Sequence, residues 1–431
     1  MKKVFYITLA LLLLSQASFG QKASTFQDSA ANYFDEIKAE AGRHQQLWGK
    51  DLYGPLLLVD PNTRQLFANY PDSAGILKQS GNIYTGQLPN EINIANTAIR
   101  WNGTCWAMIM LPLPASKQER ISLLAHELFH VAQPSLGFLQ YNTENKHLDQ
   151  RNGRIYLRLE LEALKKAVQS KSTSEQKIHL ANALTFRKYR YMLYKDADTT
   201  ENQLELNEGI AEYTGQSVSA ISDEQSIASL EQSINSFYSN PTFVRSFPYQ
   251  TIPAYGYLLA KVKSDWNKEI TSQTNLTSYF ATQLGIQLPK DIEKSVERTS
   301  DQYGGQAIIS EEKAREEKTK KQVAEFKRKF IEQPHFEIGL MKMQVAFDPR
   351  NIMPLEDKGT VYPTIRVSDS WGVLTVKNGA LMNPSWNKIS VTPPLKIKDR
   401  AISGDGWTLE LQEGYTATKD EKTGCYKLSK K

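Results

Sequence analysis

The sequence predicts an α+β protein: a mostly helical domain carrying a small mixed β-sheet, followed by a C-terminal all-β module. Three observations predict it. Apolar, strand-like runs separated by turn residues crowd into residues 55–113. Helical patterns then follow one another from residue 116 to about residue 330. After Pro334 the pattern changes again, to short strands between Gly, Pro and Asn turns. At 431 residues the chain exceeds one ordinary core, so more than one domain is expected. The expected divisions are 1–20, 21–310, 311–333 and 334–431.

Taken in order, Met1-Lys2-Lys3 is a short basic start, and residues 4–14 are apolar or aromatic apart from Thr8. Small and polar residues follow up to Gly20, the pattern of a secretory signal peptide cut between Gly20 and Gln21. The run falls short of the roughly 20 residues that span a bilayer. No Cys follows it to carry a lipid. The expectation is export to the periplasm or beyond, without a transmembrane anchor once the signal is removed.

Residues 23–48 read as a helix, with Phe26, Tyr33, Phe34 and Ile37 on one face. Strands are expected at 55–59, 63–68, 91–95 and within 97–113, where Asn102-Gly103 interrupts. The run 105–111, from Cys105 through Trp106 to Leu111, is continuously apolar and suits a strand buried on both faces or lining a cleft. Ser116 with Glu119 three residues on is a capping box. The helix it opens buries Ile121, Leu124, Leu128 and Val131 and should stop before Pro134. Residues 148–215 read as helix broken near 172–174 and 196–198, with further helix at 224–238, 253–268 and 275–284. Residues 311–330 interleave both charge signs, as in a solvated connector helix.

Composition excludes little. Hydrophobic residues make up 40% and charged residues 23%, a globular balance, and a net charge of +5 gives no reason to expect nucleic acid as a partner. The two cysteines, Cys105 and Cys425, fall in different predicted domains and are expected not to pair. His44, His147, His179 and His335 have no partners at ligand spacing.

The chemistry concentrates in Leu124-Ala-His126-Glu127-Leu-Phe-His130. Two histidines four apart project from one helix face, close enough to hold one metal ion. Imidazole nitrogens suit zinc, and Glu127 beside the first histidine is placed to take a proton from water. Only six histidines occur in the chain, and two of them bracket a glutamate within an otherwise apolar helix. A buried helix carries that desolvation cost only for a reason. A catalytic zinc needs a third protein ligand. Asn207-Glu208-Gly-Ile-Ala-Glu212 offers two glutamates four apart on a later helix.

Together these motifs resemble the gluzincin metallopeptidases, the superfamily of the thermolysin and alanyl-aminopeptidase types. The resemblance covers about residues 97–257 and implies a single zinc ion held by His126, His130 and Glu208, with Glu127 as general base. It implies that Glu212 supports a ligand histidine from behind. It places the strand Trp106 to Leu111 along the cleft as a rim for an extended peptide. A downstream tyrosine is implied as oxyanion donor; Tyr255, beside Gly256, is the first choice and Tyr249 the next. A metzincin pattern is excluded, because the next histidine after His130 is His147. Residues 131–207 form a longer insertion than the compact family arrangement. The resemblance implies an acid-containing stretch before the metal helix in the aminopeptidase branch; residues 99–108 contain no acidic group, so that branch is not assigned, and the choice between endo- and exopeptidase stays open.

The expected function is therefore a zinc-dependent hydrolase cleaving peptide bonds in a peptide or protein substrate. The alternative is a non-peptidase or catalytically silent binding protein on a metallopeptidase fold. A further reading gives the β module a stacking surface built from Trp371, Trp386 and Trp407.

Overall fold

A computed structural model describes residues 27–141, 143, 145–348 and 351–430. The expected signal peptide and Phe26 lie outside the described residues. The chain is mixed α+β: an N-terminal sheet, a central helical region and C-terminal sheets. No described helix is long and apolar enough to cross a membrane. Contacts divide the chain into two units, residues 1–140 with 211–221, and residues 141–210 with 222–431.

The first unit is built on a six-stranded sheet in the order β3-β4-β2-β1-β6-β5. Its strands are β1 Leu56–Val59, β2 Gln65–Ala68, β3 Lys78–Ser80, β4 Ile83–Gln87, β5 Thr97–Trp101 and β6 Thr104–Met110. β6 pairs parallel with β1 (Leu57 opposite Met108) and antiparallel with β5 (Ile99 opposite Trp106). Its side chains alternate between two cores. Ala107 and Ile109 face Ile121, Leu124, Ala125 and Leu128, while Trp106 and Met108 pack with Leu57, Val59 and Leu66. The helix Lys117–Ala132 covers one face, and the helix of residues 27–43 adds Ala30, Phe34 and Ile37 to the same core.

The expected strand at 91–95 is absent. The Arg64 guanidinium donates to the carbonyls of Leu88, Pro89 and Ile92, tying that segment down as a loop. The hairpin β3–β4 takes its place in the sheet, turning through Gly81-Asn82 with Ser80 opposite Ile83. Gly81 has a φ of 62°, a conformation two-residue hairpins favour glycine for.

The second unit contains the helices Arg151–Gln169, Thr173–Leu193, Ala197–Leu204, Asp223–Phe237, Pro248–Val262, Leu276–Gln283 and Ile292–Thr299. The expected start at Pro253 moves to Pro248, because Pro248 occupies the first turn, where a missing N–H costs nothing. The connector begins earlier than expected, spanning Gly305–Lys327, and one side of it is not solvated. Its Glu312 is buried and pairs with Arg154 (2.8 Å), Arg158 (2.9 Å) and Arg315 (2.7 Å). Beyond it, a seven-stranded and a six-stranded sheet contribute Phe336, Ile338, Ile389, Val367, Leu374 and Leu409 to a single core. Trp371 and Trp407 belong to that core and only Trp386 is exposed, so the three tryptophans form no stacking surface. Cys105 and Cys425 are both free thiols.

Candidate metal centre

The helix Lys117–Ala132 starts where Ser116 places it, with Ser116 Oγ accepting from the Glu119 N–H at 3.5 Å. Arg120 fixes its first turn to the carbonyls of Pro114 and Ala115 and to Glu36. His126 and Glu127 are buried, and His130 is half-buried one turn later.

A second helix lies close against this one. Glu205–Gly209 is a π-helical turn that runs without a break into the α-helix Ile210–Ser219. Gly215 lets it approach: a Cβ there would sit 2.5 Å from the Ser122 carbonyl oxygen. Val218 joins the core of the histidine helix, and Trp48 Nε1 donates to Thr214 Oγ1 at 3.0 Å.

These contacts bring Glu212 to His126. Its Oε2 lies 3.0 Å from His126 Nδ1, and because a carboxylate only accepts, the imidazole donates from Nδ1. His130 Nδ1 lies 2.8 Å from Gln133 Oε1, also an acceptor. Both rings are thereby set as Nδ1–H tautomers, with lone pairs on Nε2. The two Nε2 atoms are 3.1 Å apart. Ligand atoms of His126, His130 and Glu208 all lie within 4.8 Å of one another.

The separation of the two Nε2 atoms suits one shared cation. Two imidazole nitrogens on one zinc at about 2.05 Å stand about 3.3 Å apart. The two imidazole nitrogens converge at 3.1 Å, and the Glu208 carboxylate supplies a third donor atom of a kind that metal ions take. His126, His130 and Glu208 thus form a candidate metal site.

Glu208 is itself held on both oxygens. Asn207 Nδ2 donates to Oε1 at 3.1 Å, and Tyr249 Oη donates to Oε2 at 2.6 Å. Tyr255, the first choice for the oxyanion donor, stands elsewhere. It is fully buried, stacks on Phe280 and donates to Glu160 Oε1 at 3.1 Å within an ionic network. Burial and the nearby Glu160 push its hydroxyl well above the usual tyrosine range, so it serves packing and the second choice, Tyr249, lies at the site.

The cleft-rim assignment also shifts. Trp106 to Met110 lie in β6 and Leu111 follows it; β6 is paired on both sides and has no free edge, and the edge strand beside it is β5. Gln133 was missed by sequence reasoning, although its position three residues after His130 on a helix end was a usable signal. No family model matches the chain, and no curated protein or solved structure matches it significantly.

Proposed function

We propose that this protein is a zinc-dependent hydrolase that cleaves peptide bonds, with His126, His130 and Glu208 as ligands and Glu127 as general base. The observation that carries the reading is the convergence of two Nε2 lone pairs and a carboxylate, with each imidazole fixed from behind by Glu212 or Gln133. Such outer partners set the tautomer and raise ligand basicity. A zinc ion held there supplies Lewis acidity, polarising an acyl oxygen and acidifying water.

The chain's own groups supply the rest. Glu127 follows His126 directly on the buried helix, where its carboxylate accepts the proton of the attacking water and returns it to the departing amine. Tyr249 donates its hydroxyl proton to Glu208 Oε2 and so orients that ligand. The free side of β5, which packs against the histidine helix, offers backbone groups to an extended peptide.

The test is metal analysis of the purified full chain, with a peptide library assayed on wild type and Glu127→Gln. Stoichiometric zinc in both proteins and cleavage in wild type alone support the reading. Zinc in both with cleavage in neither supports a silent binding protein instead. A chain that takes up no zinc even on reconstitution overturns the assignment.

A further inference from the structure

Four glutamates, Glu201, Glu205, Glu208 and Glu212, recur along one helical stretch at spacings of four, three and four. In an uninterrupted α-helix they would share one face, falling within about 60° of one another at roughly 100° per residue. Four carboxylates would then compete for the same partners.

The structure instead divides them into two pairs. Glu201 binds Arg190 Nε and Nη2 (2.8 and 2.6 Å), and Glu205 binds Arg187 Nη1 and Nη2 (2.9 and 2.6 Å). Both glutamates and both arginines are fully buried. Glu208 belongs to the metal-ligand group and Glu212 to His126. The element separating the pairs is the π-helical turn Glu205–Gly209. A π-turn accommodates one extra residue, so it rotates everything downstream by on the order of 100° relative to what precedes it.

The turn is clamped by the helix Pro248–Val262 at three points. Thr251 Oγ1 donates to Glu205 Oε1 at 2.6 Å, and Tyr249 holds Glu208. Ile252 packs so tightly on Gly209 that a Cβ there would meet its Cγ1 at 2.4 Å. A buried ion network is a poor source of stability, since apolar residues of similar volume often do as well. What it gives is one defined arrangement.

We propose that Glu205, gripped by Arg187 and Thr251, is a positioning residue that keeps this turn π-helical and so aims Glu208 at His126 and His130. The inference rests on the reading of those three residues as a metal site. It assigns the buried arginine–glutamate network a second task beyond holding the helices together.

The experiment compares full-length wild type, Glu205→Gln, Thr251→Val and Glu201→Gln. Zinc affinity is read by chelator competition, ligand geometry by the electronic spectrum of the Co2+-substituted protein, and folding by circular dichroism. Glu201→Gln is the control, because it breaks an equivalent buried pair upstream of the π-turn. The expected result is zinc affinity lowered about 10- to 100-fold in Glu205→Gln with an altered cobalt spectrum, and a smaller shift in the same direction in Thr251→Val. Glu201→Gln should lose thermal stability with affinity and spectrum unchanged. Unchanged affinity in folded Glu205→Gln, or an equal loss in Glu201→Gln, overturns the inference while leaving the metal site standing. If Glu205→Gln does not fold, Thr251→Val decides by the same criterion. Wild type without zinc overturns the inference and the functional reading together.

Discussion

At the scale of single residues, the proposed reading gives metal binding and action on substrate to different groups, and substitutions should separate them. Glu127→Gln keeps shape and removes the basic carboxylate. Peptide cleavage should fall by about 10²- to 10⁴-fold while zinc content stays at the wild-type level. Loss of zinc along with activity would make Glu127 a ligand or a structural group instead. Glu212→Gln tests the other class. Its carboxylate accepts from His126 Nδ1 at 3.0 Å, so the amide should weaken zinc binding by about 10- to 100-fold, measured by chelator competition. Most of this site was legible in the sequence, because His126, His130, Glu208 and Glu212 sit at helical spacings that force each pair onto one face. Tyr255 lies away from the metal-ligand group for a physical reason. The segment from Tyr249 to Tyr257 is helical, and only the packing of that helix decides which hydroxyl meets Glu208 and which meets Glu160.

At the scale of elements, the helix starts at Ser116 and Asn275 were readable from their cap side chains, whereas the helix Ile292–Thr299, capped by Asp291, was not foreseen. The π-turn was not readable. Its phase slip is imposed by Arg187, Thr251 and Ile252, none of them near it in sequence. The network beside it has its own pH signature. Burial by itself would raise the Glu201 carboxyl, but the Arg190 guanidinium, with His147 adding a contact at 2.7 Å, brings it down to about 2. A carboxyl depressed in the folded state stabilises above its unfolded pKa of about 4.3 and loses that contribution as pH falls towards its folded value. The thermal midpoint of chelator-treated wild type should therefore drop between about pH 5 and about pH 2, and Glu201→Gln should drop less over the same interval. An identical drop in both proteins would remove Glu201 from the account.

At the scale of the whole molecule, the change of pattern after Pro334 correctly announced β-structure, since strands two-faced in burial alternate with period two and their turns carry Gly and Asn. What pattern cannot show is where a core ends. Phe330 precedes that boundary, yet it is buried at 1% exposure with Leu355, Val361 and Leu381, and Val323 and Phe326 pack beside it. The end of the connector helix is thus part of the wall of the β region, held also by Lys327 on Glu356 at 2.6 Å and Lys329 on the Asn378 carbonyl at 3.1 Å. Deleting one buried phenylalanine costs about 3–5 kcal/mol. Whole domains have only about 5–15 kcal/mol to lose. A fragment of residues 334–431 should accordingly unfold at much lower urea than one of residues 318–431, and Phe330→Ala in the longer fragment should account for most of the difference. Equal midpoints for the two fragments would mean that the β core closes without the helix, and that the boundary drawn from pattern alone is also the energetic one.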